Sequence, residues 1–162
     1  MLDRIKQLEA IARQLQPDED RRSELTQAAS DYVNAFIKGL GEAPAANFTE
    51  DNGIGLYDSP ISEDPIDIEA ALSLFDQNVI RQGINTSSGR FIAYIPGGGL
   101  YYSALGDYLA AATNRFSGLF FASPGAVRME NMLTRWMAGV VGYPEDCGAT
   151  LTSGGTGNIV EA

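Results

Sequence analysis

Apolar residues recur at helical steps from the start of the chain. Over residues 2 to 15, Leu2, Ile5, Leu8, Ile11 and Leu15 fall three or four positions apart with charged and amide side chains between them. That spacing predicts one amphipathic helix. Pro17 followed by Asp18, Glu19 and Asp20 predicts the start of a second. Proline is tolerated at the first helical position, and the acids face the positive end of the macrodipole. Its stripe is Leu25, Ala28, Tyr32, Val33, Phe36, Ile37 and Leu40, and Gly39 with Gly41 closes it. A third helix is predicted over 67 to 82, with Ile68, Leu72, Phe75, Val79 and Ile80 on one face and Gly83 at its end. A fourth, over 101 to 115, has Leu105, Leu109 and Ala112 as its spine. Ser123 and Pro124 predict a fifth, serine as cap and proline in first position, carrying Val127, Met129, Leu133, Trp136 and Val140 to Gly142.

The segments between these helices have other characters. Residues 42 to 66 are rich in Gly, Pro, Asp, Asn and Ser without a sustained period, which reads as an irregular connection over the surface. Residues 91 to 95 form a short apolar run cut off by Pro96 and then by Gly97, Gly98 and Gly99. Residues 149 to 152 are β-compatible, Ser153, Gly154, Gly155 and Thr156 make a turn, and 157 to 162 open a helix. Only 91 to 95 offers a second strand. The chain is therefore read as mainly α: a helical arm over 1 to 41, the connection over 42 to 66, and from 67 to 162 the start of an α/β domain that reaches its first βα unit. A two-helix arm buries little by itself, so its stripes need a surface from the rest of this chain or from a second copy, and a homodimer is the favoured expectation.

Composition narrows the function classes. The length of 162 residues and 44% apolar content suit one globular domain. Acidic residues outnumber basic ones by 21 to 11, and the net charge of -10 argues against nucleic acid and an anionic membrane surface as partners. No apolar run approaches the roughly 18 residues of a membrane span, and the first helix is charged rather than signal-like, so a cytoplasmic location is expected. Cys147 is the single cysteine and reads as structural. Asp64, Asp67 and Glu69 lack a glycine-containing calcium loop, and no metal site is expected. Met129, Met132, Trp136 and Met137 at helical spacing read as core, and Tyr101 with Tyr102 as packing or capping residues. The chain has no histidine, and its only lysines are Lys6 and Lys38, both on predicted surface helices. Few groups remain for general-base or amine chemistry.

A strand, a Gly-Gly turn and a helix start gather backbone N-H groups where the helix dipole favours negative charge. The glycines permit close approach, and Ser153 and Thr156 add hydroxyls. Taken alone, the turn is compatible with an anion cradle and with an ordinary surface turn. Motif order says more. The blocks are Arg90 to Gly99, Ala104-Leu105-Gly106-Asp107, Ala112-Thr113-Asn114, Ala122-Ser123-Pro124-Gly125-Ala126, Met129-Glu130, Arg135-Trp136-Met137, Gly142-Tyr143-Pro144 and Leu151 to Thr156. In this order they resemble the group II pyridoxal-phosphate (PLP)-dependent amino acid decarboxylases, from about residue 65 onward. The helical arm agrees with that family's N-terminal segment in character only.

The resemblance implies the N-terminal portion of a fold-type I PLP-dependent carboxy-lyase of amino acid metabolism. It implies that Ser153, Gly154, Gly155 and Thr156 hold the cofactor phosphate. It further implies that Tyr94, Ile95, Pro96 and Gly97 line the substrate side-chain pocket and that Phe116 and Gly118 reach the neighbouring subunit's site. The family's cofactor lysine, ring-stacking histidine and ring-nitrogen aspartate all correspond to positions beyond residue 162. Ser87-Ser88-Gly89 stands where many members carry His-Pro, and Gly157-Asn158 is one residue tighter than the family's usual spacing. The 162-residue chain alone is accordingly expected to be inactive and not to retain PLP, being a truncated gene product, a split subunit or an expressed domain, with a missing C-terminal half as a candidate partner. The alternative is a non-catalytic helical dimer or interaction module that binds a partner chain.

Overall fold

The computed structural model describes residues 1–50, 53–59, 61–62, 64–95, 97–144 and 146–152. The chain divides into two units, Met1–Gly99 and Leu100–Ala162.

The first unit begins with α1, Leu2–Ala12, which tightens into a 3-10 turn over Arg13–Leu15, so the helix expected over 2 to 15 is present with a narrowed last turn. The next helix, α2, spans Glu19–Gly39. Its N-cap is Asp18, whose carboxylate accepts the Arg21 N-H at 2.9 Å. Pro17 therefore stands outside the helix rather than at its first position: the extended backbone at Asp18 and its acceptor side chain define the boundary. A second aspartate repeats the device, with Asp67 accepting the Ala70 N-H at 2.8 Å to start α4, Ile68–Phe75.

The helix expected to continue to residue 82 changes character at Phe75. Asp76–Ile80 form a π turn, closed by the Arg81 N-H on the Asp76 carbonyl at 2.9 Å. The Asn78 amide donates back to the Leu74 carbonyl at 2.9 Å. A short helix α3, Ile54–Tyr57, lies against this turn. The approach is close: a Cβ on Gly53, whose φ is +81°, would stand 2.5 Å from the Asn78 carbonyl oxygen. Any side chain there would force the two elements apart. Helices α2 and α4 pack together, with the Tyr32 ring edge-on to Phe75 at a centroid distance of 6.2 Å.

A two-stranded antiparallel ladder joins the expected irregular connection to the end of α4. Strand β1, Ala46–Asn47, pairs with β2, Gly83–Ile84, placing Ala46 opposite Ile84. The run 91 to 95 is not a strand. Tyr94 adopts φ +58°, which breaks the extended conformation a strand requires.

In the second unit, α5 spans Tyr101–Thr113 and stops at Asn114, which takes the left-handed cap conformation. Helix α6 spans Pro124–Val141, with Pro124 in the first turn and Gly142 as left-handed C-cap, as the sequence indicates. Ser123 occupies the N-cap position without a side-chain capping bond; it is 4% exposed, and its carbonyl accepts the Val127 N-H at 3.2 Å. The β-compatible residues 149 to 152 form no strand.

Burial is sparse, and here the sequence expectation needs correction. Among the described residues Ala138 is the one buried apolar side chain, joined on α6 by Thr134 one turn earlier. Met129, Met132 and Trp136, read as core, are about two-thirds exposed, and Met137 is half exposed. Their 3.6-residue spacing does describe a face of α6. No described element of its own unit covers that face, and helical period alone does not say what an apolar stripe packs against. Tyr102, expected to pack or cap, is also exposed. No helix among the described residues is long and apolar enough to cross a membrane.

Candidate functional site

The turn Ser153, Gly154, Gly155 and Thr156 lies outside the described residues, and so does Pro96. The chain that leads into the turn is described. Leaving α6 at Gly142, it hooks back through the Tyr143 N-H on the Ala138 carbonyl at 2.9 Å and turns again at the Cys147 N-H on the Pro144 carbonyl at 3.1 Å. It then meets Glu130. One carboxylate oxygen of Glu130 accepts the Leu151 N-H at 3.2 Å and the Thr150 hydroxyl at 3.4 Å. Glu130 shares its face of α6 with Thr134 and Ala138, four and eight residues on, which are the buried positions of that helix.

Sequence reasoning picked out Glu130 only as part of a motif block. Its contact is with residues 20 and 21 positions later, beyond any local spacing rule.

The loop carrying Tyr94, Ile95 and Gly97 is tied at its root. The Ser88 hydroxyl, 5% exposed with its residue, donates to the Ala43 carbonyl at 2.6 Å and accepts the Arg90 N-H at 3.1 Å. The Asn85 N-H donates to the Ala45 carbonyl at 2.9 Å, and the Arg90 guanidinium to Glu42 at 2.6 Å. Residues 42 to 45 thus anchor 85 to 90. Beyond this anchor Tyr94 and Ile95 are exposed, the Phe91 and Tyr94 ring centroids lie 6.3 Å apart, and no described residue lies within 4 Å of a Cβ built on Gly97. In the second unit, Phe116 and Gly118 are brought together. A Cβ on Gly118 would stand 2.6 Å from the tip of the Phe116 ring. Nearby, the Arg128 guanidinium stacks over Phe120 at 5.5 Å.

One feature of the first unit was not foreseen. A groove of about 700 Å³ lies between α2 and α4, lined among others by Tyr32, Phe36, Leu72, Asp76, Ile80 and Arg81. The Tyr32 hydroxyl donates to Asp76 at 3.0 Å, and the Arg81 guanidinium pairs with the other oxygen of the same carboxylate. Burial, reinforced by the Asp76 hydrogen bond, pushes the Tyr32 phenol up to about 12. Asp76 and Arg81 are five residues apart, a spacing that brings side chains together in a π turn and not in an α-helix, so helical periodicity gave no sign of the pair.

The donor set of 153 to 156, two hydroxyls and glycine N-H groups, suits a phosphate by its chemistry. Covalent anchoring of an aldehyde cofactor is another matter. Lys6 and Lys38 are exposed on α1 and α2, and residues 100 to 162 contain no lysine and no histidine. The second unit offers no lysine amine to such a cofactor.

No protein-family model matches the chain. It is 25% identical over 148 residues to an aromatic-L-amino-acid decarboxylase of Bacillus atrophaeus, covering 90% of this chain and 31% of that protein. It is 27% identical over 149 residues to a tyrosine decarboxylase of Oryza sativa subsp. japonica, covering 90% of this chain and 27% of that one. Among solved structures, the Oryza sativa TDC with PLP and tryptamine superposes with a TM-score of 0.70 at 19% identity, over 80% of this chain and 26% of that chain. Over that 80% the chain shares the fold of part of that structure, and it spans about three-tenths of the length of the curated relatives it matches. Over some nine-tenths of its own length, this chain is similar to the group II PLP-dependent amino acid decarboxylases, as its motif order indicates.

Proposed function

We propose that this chain contributes the phosphate turn and part of the substrate pocket to a PLP-dependent amino acid decarboxylase while lacking the lysine that binds the cofactor covalently. The similarity to decarboxylases over 90% of the chain carries the reading. When bound, PLP acts as the electron sink for loss of the α-carboxylate. In this proposal the chain's own residues position and recognise. Ser153, Gly154, Gly155 and Thr156 donate hydrogen bonds to the phosphate; the loop of Tyr94, Ile95, Pro96 and Gly97 faces the substrate side chain; Phe116 and Gly118 serve a neighbouring subunit's site. The arm over 1 to 41, the connection over 42 to 66 and the domain start over 67 to 162 remain the proposed division. β1 gives the connection a fixed point by pairing with β2.

In the same proposal residues 1 to 162 bind the cofactor phosphate without covalent capture and do not by themselves decarboxylate an amino acid. Incubation with PLP followed by borohydride reduction and peptide mapping tests it. The expected result is phosphate-dependent, non-covalent binding, with no site-specific lysine adduct and no release of carbon dioxide from aromatic amino acids. Stoichiometric labelling of Lys6 or Lys38 accompanied by decarboxylase turnover would overturn it.

A further inference from the structure

We propose that the groove between α2 and α4 is the seat for helix α1 of a second copy of this chain. Both surfaces lie open in the first unit. Every residue of α1 is exposed, including the apolar stripe of Leu2, Ile5, Leu8 and Ile11. The groove, about 700 Å³ in volume, has the exposed Ala35 and Gly39 of α2 along its floor and Phe36, Leu40, Leu72 and Ile80 in its walls. No described residue lies within 4 Å of a Cβ built on Gly39. A helix can therefore approach α2 closely at this point, since interaxial distance follows the size of the side chains at the contact.

Length and charge match the two surfaces. The stripe from Leu2 to Ile11 covers about 14 Å of helix, and the α2 side of the groove from Tyr32 to Leu40 about 12 Å. Residues 1 to 15 carry three basic and two acidic side chains, whereas residues 16 to 99 carry five basic and fourteen acidic. The arm's first helix is thus a positive segment on an otherwise strongly acidic unit, and that contrast draws it towards another such unit. The chain's own α1 does not reach the groove. Turned back along α2 through residues 16 to 18, it puts Leu15 level with Glu19 and Leu2, about 20 Å further on, level with Tyr32 at the near end. Ile5, Leu8 and Ile11 then fall short. A second molecule has no such tether, and a two-fold axis lets each copy's α1 occupy the other's groove. The seat uses residues of the first unit only and is independent of the cofactor reading.

The test uses the whole chain. Sedimentation velocity over a concentration series compares the wild type with Gly39→Leu, which fills the groove. The Gly39 backbone is not left-handed, and leucine is a better helix former than glycine, so the variant is expected to fold, as circular dichroism checks. Its dimer is expected to dissociate about tenfold more readily than that of the wild type, the effect of overpacking a contact. Cross-linking identifies the surface that α1 meets. In a Cys147→Ser background, Leu8→Cys chains are mixed with Gly39→Cys chains and treated with a short bismaleimide. The mixed pair is expected to cross-link, and neither chain by itself. Should Gly39→Leu fail to fold, the cross-link decides. A monomeric wild type overturns the proposal, as does a folded Gly39→Leu variant that dimerises as tightly as the wild type. Leu8→Cys chains that join each other in preference to Gly39→Cys chains also overturn it, because α1 then meets α1 and the groove is left empty.

Discussion

Tyr32 reaches from α2 to Asp76 at the end of α4, and its phenol is the group most clearly altered by its surroundings. The sign of the pH effect follows from the direction of the shift. A phenol raised to about 12 in the folded chain, against an ordinary value near 10, binds its proton more tightly folded than unfolded. Its contribution to stability is complete below about pH 10 and is lost as the pH rises through 12. Tyr32→Phe should remove the highest-pH component of the phenolate absorbance titration and lower stability at neutral pH by about 1 kcal/mol in denaturant unfolding. Loss of a component centred near pH 10 instead would refute the assignment. At this scale the sequence was readable where the rule is local. Asp18 with its following acids, Pro124 and Gly142 all marked helix ends, because caps act within one turn. The Tyr32, Asp76 and Arg81 set and the Glu130 contact with Thr150 and Leu151 were illegible, since each joins residues whose approach depends on turns that no short pattern encodes.

Among elements, α1 poses the sharpest question. Leu2, Ile5, Leu8 and Ile11 form the stripe that periodicity predicts, and each is more than half exposed. The homodimer expected from the sequence would have this stripe meet the same stripe of a second copy, an isologous contact of the kind cyclic dimers use. Leu8→Asp places a charge on the centre of that face. Sedimentation velocity at tens of micromolar should show a dimer for the wild type and a monomer for the variant. A monomeric wild type would remove α1 as a dimer element. The strands show why length matters in reading elements: β1 and β2 hold two residues each, too short for alternation to register, whereas the longer run at 91 to 95 did look like a strand. Tyr94 and its left-handed backbone decided otherwise.

On the scale of the whole chain, helices formed where periodicity placed them, but the surfaces they present were misjudged. Periodicity identifies an apolar face and is silent on its partner, so Trp136 and the methionines of α6 were read as core. Secondary structure without buried side chains opens easily. Native-state hydrogen exchange should therefore rank α2 and α4, joined through Tyr32, Phe75 and Asp76, as better protected than α1 and α5, in which every described residue is exposed. Equal protection in α1 would show that it is covered in solution. The π turn at Asp76–Ile80 has a further consequence. Such a turn is an α-helix with one residue inserted, and one residue amounts to about 100° of rotation about the helix axis. The chain beyond Phe75 is thereby wound out of phase with the helix before it. That phase delivers Arg81 to Asp76 and hands β2 to β1 in register. A relative that shortens this segment by a single residue would have to find another way to aim both.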